Sequence, residues 1–268
     1  MMKSRGIAKL LFASAHFLFI ITILTPCLKI EAAMVTIPNI PAYYWYHGCT
    51  PTAMAAILGH WDIQGYTNLF KAQGNDLYLT ANVQDEISSP AHNAKYDSTP
   101  DDPNLPTPPK ESIADWIGTS VDPVAFGGTY IYKTTAGFVD YAAYKGYTFQ
   151  ATRILADATW TALIAEVDLG RPMLFYVDSN GDGTSDHTVP VFGYDDRGIG
   201  GQWYACYTTW SEDEVPVWKE YQNLAAGNIY GVYGSTQVIP PPLPEPSTII
   251  FILLSSPLIF SRRKPPLH

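Results

Sequence analysis

The sequence predicts an α+β fold, with helices in its N-terminal part and an antiparallel sheet in its C-terminal part. Three observations carry this. With 47% hydrophobic and 15% charged residues in 268, the chain has apolar material for one sizeable core. Stretches of helical texture fall between Thr52 and Leu169. From Pro172 the chain changes to short alternating runs rich in β-branched and aromatic residues. Helices first and strands later argues against a doubly wound parallel sheet.

In chain order, Lys3, Arg5 and Lys9 precede an apolar stretch from Leu10 to Leu28, and Ala32-Ala33 follows as a small-residue cleavage site. This pattern predicts an export signal over residues 1–33, with a retained transmembrane anchor as the alternative. Thr52 to Trp61 reads as a helix, as do Ser112 to Ile117, Thr135 to Tyr144 and Trp160 to Leu169. The proline- and acid-rich residues 97–109 read as an exposed loop. Strands are expected at Met173–Val177, Thr188–Tyr194, Trp203–Thr209 and Ile229–Tyr233. Residues 34–238 then make one domain. Lys+Arg is 16 against Asp+Glu 25, a net charge of -9, and no basic cluster lies between the termini. Nucleic acid is therefore not an expected partner.

The most informative stretch is Gly48-Cys49-Thr50-Pro51-Thr52-Ala53-Met54-Ala55-Ala56-Ile57-Leu58. Pro51 suits a first helical turn, and the apolar residues after it continue a buried helix. Cys49 thus falls at a helix N-terminus, where the helix dipole and unpaired N–H groups favour a thiolate. Gly48 leaves room for a substrate backbone to approach. The plainer alternative is an inert cysteine at a helix end. A histidine, His187, opens the apolar run Thr188-Val189-Pro190-Val191-Phe192-Gly193-Tyr194. That places an imidazole at the end of a sheet.

The stretch Tyr43-Tyr44-Trp45-Tyr46-His47-Gly48-Cys49-Thr50-Pro51, Gly59-His60-Trp61-Asp62, Ser112-Ile113-Ala114-Asp115-Trp116 and Asp186-His187 through Gly193-Tyr194 resemble bacterial papain-fold cysteine peptidases. The group in question is the C39-like one, related to the leader peptidases of bacteriocin exporters. The cysteine-to-histidine spacing also suits papain-type enzymes, about 130–150 residues. The resemblance implies a papain-like cysteine peptidase fold, a peptide or protein substrate, and Cys49 and His187 as the reactive pair. Two positions depart from the pattern. Tyr43 stands where the family carries an oxyanion-donating glutamine, so a tyrosine hydroxyl or His47 would have to join the Cys49 backbone N–H. Thr208 stands where an Asn or Asp orients the imidazole; its hydroxyl would accept the imidazole N–H more weakly. Asp195 or Asp196 would serve only if the chain turned back.

Asp178, Asn180, Asp182 and Asp186 alternate around Gly183 as in the first part of an EF-hand-type loop, which would take Ca2+. Val189 stands where the bidentate glutamate belongs, and a glycine-rich hairpin fits the same residues. Both readings stay open. So does the pairing of Cys49 with Cys206, which an exported protein favours and which would consume the nucleophile. At the far end, Pro240-Pro241-Pro242-Leu243-Pro244-Glu245-Pro246, an apolar run and Arg262-Arg263-Lys264 resemble a PEP-CTERM sorting tail over residues 239–268. The resemblance implies transient membrane attachment, an exosortase-type sorting enzyme as partner, and a final place in the cell envelope or extracellular matrix. The functions expected are thus an exported thiol peptidase or a catalytically weak peptidase-fold binding protein at the cell surface.

Overall fold

The computed structural model describes residues 33–70, 80–97, 102–122, 124–211 and 215–243. The expected export signal, apart from Ala33, and the sorting tail beyond Leu243 lie outside the described residues. Strand β1 (Ala33–Thr36) leads into helix α1 (Cys49–Ile63), followed by α2 (Ala81–Ile87), α3 (Pro90–Tyr96), α4 (Ile113–Ile117) and α5 (Ile131–Tyr144). Strand β2 (Gln150–Leu155) and helix α6 (Ala156–Asp168) precede β3 (Met173–Asp178), β4 (His187–Asp196), β5 (Gln202–Cys206), β6 (Val217–Glu220) and β7 (Gly231–Ile239). The seven strands make one sheet in the order β2-β7-β3-β4-β5-β6, with β1 also on β4. Every pairing between these strands is antiparallel. This is the expected α+β class.

Helix α1 is the core's axis. Every residue from Thr50 to Trp61 is buried, as befits a helix apolar on all sides, and it packs on β4 and β3. Met54, Ile57 and Leu58 are fully buried, each stabilising the fold by roughly 1.5–3 kcal/mol. Gly59 is required within it: a Cβ there would lie 3.0 Å from the ring of Pro41 and from the Tyr43 hydroxyl. Strand β3 is buried along its whole length, and so is β4 up to Asp195. Two buried carboxylates are fully engaged. Glu86 takes the Tyr141 hydroxyl and Lys145 Nζ, the latter at 2.7 Å. Glu166 holds Arg171 through two 2.6 Å bonds and accepts from Gln237.

The expected helices are all present. Five elements escaped the sequence reading: α2, α3, β1, β2 and β6. The edge strands β2 and β6 show no clean alternation of burial, so period-two patterning had nothing to detect. The last strand runs over Gly231–Ile239 rather than 229–233, and β5 ends at Cys206, short of Thr208 and Thr209.

Candidate active site

The segment before α1 is held by a buried hydroxyl. Thr52 Oγ1 donates to the Gly48 carbonyl at 2.7 Å and accepts from the Tyr46 N–H at 3.0 Å, closing the turn in which His47 takes a left-handed φ of 56°. A Cβ on Gly48 would lie 2.9 Å from both the Gly127 carbonyl oxygen and the Thr119 methyl. The close approach that Gly48 permits is therefore by the protein's own loop rather than by a substrate backbone. Cys49 follows as the first residue of α1, half-buried.

Strand β4 brings His187 to the same place. Thr50 Oγ1 and Thr188 Oγ1 are 2.9 Å apart, which ties the start of α1 to the start of β4 one residue beyond each reactive group. His187 is 5% exposed. Its Nε2 donates to the backbone carbonyl of Thr208 at 2.8 Å, and its ring stacks on Trp210 with centroids 4.3 Å apart. A carbonyl only accepts, so Nε2 carries a proton, and Nδ1 is the nitrogen left for the thiol.

The two groups perturb each other. Burial raises the Cys49 pKa, but the hydrogen bond and charge of His187 outweigh it, helped by the Thr188 backbone N–H and the Thr50 hydroxyl. The net effect holds the thiol below its ordinary value. Burial lowers the His187 pKa, and Cys49, the Thr208 carbonyl and the charge of Asp186 more than reverse this. Both shifts favour a thiolate–imidazolium pair. The pair opens on a cleft of about 480 Å3, walled by Trp45, Phe126, Gly127, Ile131, Asp186 and Trp210 among others. Trp45 N–H donates to the Thr209 carbonyl at 2.6 Å, joining the cysteine's segment to the turn beneath His187.

Several expected residues stand elsewhere or act differently. Thr208 is beside the histidine, but its carbonyl accepts the imidazole N–H and its hydroxyl accepts weakly from Trp210 N–H at 3.4 Å. Tyr43 is buried with its hydroxyl against Gly59 in the middle of α1, away from the cleft. His47 turns its ring onto His92 and Phe126, each 5.1 Å away between centroids, and does not line the cleft. Asp195 and Asp196 lie at the far end of β4, roughly 25 Å along the strand from His187, where Asp195 binds Arg197. Cys49 and Cys206 are both free thiols, so the disulfide is not formed. Cys206 is wholly buried on β5, and burial pushes its pKa up to about 12.

The Asp178–Asp186 loop joins β3 to β4. The Asp178 carboxylate accepts backbone N–H groups from Asn180, Gly181, Asp182 and Gly183, so it organises the turn. Asp182 and Asp186 both take the Asn180 amide, at 3.3 and 3.4 Å, and Asp186 also binds the Ser179 N–H and hydroxyl. Among the described residues no group of three or more His, Cys, Asp or Glu is placed to hold a metal ion.

Sequence reasoning missed Thr50, Thr52, Thr188 and Trp210. The equal spacing of Cys49–His187 and Thr50–Thr188 was the available signal for two of them.

A model of the Peptidase_C39 like family matches residues 37–237. The chain belongs to that family. Membership accounts for the papain-like α+β architecture and implies a cysteine-peptidase-type fold acting on peptide or protein. No curated protein matches the chain. The matched span contains Cys49, His187 and the whole cleft.

Proposed function

We propose that the protein is an exported thiol peptidase in which Cys49 is the nucleophile and His187 the base. The observation that supports this best is the Nε2–H bond to the Thr208 carbonyl, because it leaves Nδ1 basic on the thiol side. Nδ1 takes the thiol proton, and the thiolate attacks the peptide carbonyl to give a tetrahedral oxyanion. Collapse expels the amine, which takes the proton back from His187. Water, deprotonated by His187, then releases the acid from the thioester. The Cys49 backbone N–H, unpaired at the start of α1, is one oxyanion donor. Trp45 lines the cleft on the cysteine's own segment. Thr208 positions the imidazole through its backbone.

The test compares the protein with its Cys49→Ala variant against a peptide–fluorophore library and a cysteine-directed epoxide. Cleavage and labelling that disappear in the variant support the proposal. Folded protein that neither labels nor cleaves would leave the second reading, a peptidase-fold binding protein. The absence of a glutamine at Tyr43 favours that second reading.

The same proposal places residues 1–33 as the export signal, 34–238 as the mature domain and 239–268 as a tail cut by an exosortase-type enzyme after transient membrane attachment. The processed protein then resides in the envelope or extracellular matrix. Intact-mass measurement of the processed protein tests both boundaries. Ca2+ at the Asp178–Asp186 loop is also proposed, through the exposed side chains of Asn180, Asp182 and Asp186. Since Asp178 is spent on backbone N–H groups, such binding would be weak and would require the Asn180 amide to turn. A saturable Ca2+ response in thermal unfolding that Asp182→Asn abolishes supports it; an unchanged midpoint rejects it.

A further inference from the structure

A second pocket of about 300 Å3 is lined by Lys110, Trp116, Gly118 and Lys133, with His92 and Asp115. It begins one residue from Thr119, whose methyl packs against Gly48 before the nucleophile. Lys110 Nζ lies 4.8 Å from the centroid of the Trp116 ring. Lys133 Nζ lies against Gly118, 3.1 Å from where a Cβ would stand. Gly118 has a left-handed φ of 66°, so both backbone and space keep a side chain out of this wall.

The charges here are unbalanced. The chain carries nine more acidic than basic residues, and Lys145, Arg171 and Arg197 are each paired with a carboxylate. Lys110 and Lys133 have no carboxylate partner among the described residues; their ammonium groups lie near the rings of Trp116 and Tyr130 respectively. The carboxylate in the pocket wall is already engaged. Asp115 Oδ1 is 2.6 Å from His92 Nδ1, and Oδ2 accepts from the N–H and hydroxyl of Ser112 and the hydroxyl of Ser89. Glu111, the sequence neighbour of Lys110, lines a different pocket. The indole N–H of Trp116 also finds no acceptor among the described residues. Two ammonium groups thus share one opening with an aromatic ring and, among the described residues, no unengaged anion to satisfy them.

We propose that this pocket binds an oxyanion, a carboxylate or phosphate, carried on a flat apolar body that rests against Trp116. The full chain would be melted at fixed ionic strength with increasing phenyl phosphate, benzoate or neutral phenol. A saturable rise in midpoint with either anion, absent with phenol, is expected, and the stronger anion identifies the oxyanion carried. Lys110 is exposed and Lys133 half-buried, and neither is paired with a described carboxylate, so the Lys110→Gln/Lys133→Gln variant should fold, which circular dichroism checks. In it the apparent affinity should fall by about tenfold or more. No saturable rise with either anion, an equal rise with phenol, or a response retained in the double variant overturns the proposal.

Discussion

The hydroxyls of Thr50 and Thr188, 138 residues apart in sequence, meet at 2.9 Å and fix the distance between the helix that presents Cys49 and the strand that presents His187. Both are buried, so neither has water as an alternative partner. Replacing either alone with valine leaves the other hydroxyl unsatisfied and should cost about 1–3 kcal/mol in urea unfolding. The double valine variant should cost less than the sum of the two, which a double-mutant cycle reads directly. Independent, additive costs would show that the pair does not act as a tie.

Cys49 should be alkylated by iodoacetamide at lower pH than an ordinary thiol. Its pKa is held down against burial by His187, so the thiolate persists on the acid side of the usual range. In His187→Ala only the Thr188 N–H and the Thr50 hydroxyl still oppose burial, and the acid limb of the rate profile should move to higher pH. Rates on that limb fall about tenfold for each unit moved. Superimposed profiles would remove His187 from the role of base.

Thr208→Val should leave the alkylation profile within about twofold of the parent, because the imidazole is held by the backbone carbonyl, which valine retains. If the hydroxyl oriented the ring instead, loss of a hydrogen bond to a charged group would cost about tenfold or more. The measured ratio separates the two.

His47 should make the protein acid-sensitive. Burial first, and then the charge of His92, push its pKa from 6.5 to about 4. Between these values the unfolded chain binds a proton that the native state does not, so stability falls as pH falls from about 6.5 towards 4. The loss attributable to this group approaches about 3 kcal/mol. His47→Asn keeps a residue that tolerates the left-handed φ and should flatten the urea midpoint across that pH range. An undiminished slope in the variant would assign the acid sensitivity to other groups.

By itself the sequence determined the class of fold and the central helix, and it singled out Cys49 and His187 as two side chains that the fold brings together. Those rest on local chemistry: Pro51 and the alanines specify a buried helix, Cys49 must precede it, and alternation after Pro172 specifies strands. The edge strands β2 and β6 and the short helices α2 and α3 were not legible, because their stability comes from neighbours rather than from their own periodicity. Only the tertiary structure decided which atoms serve the site. A backbone carbonyl carries no sequence signature, so the support of His187 was read as the Thr208 hydroxyl. The direction of a side chain from an irregular segment is set by packing, so Tyr43 and His47 looked available to the cleft and are turned into the interior. The two unpaired lysines beside Trp116 became visible only when the positions of all the described carboxylates around them were known.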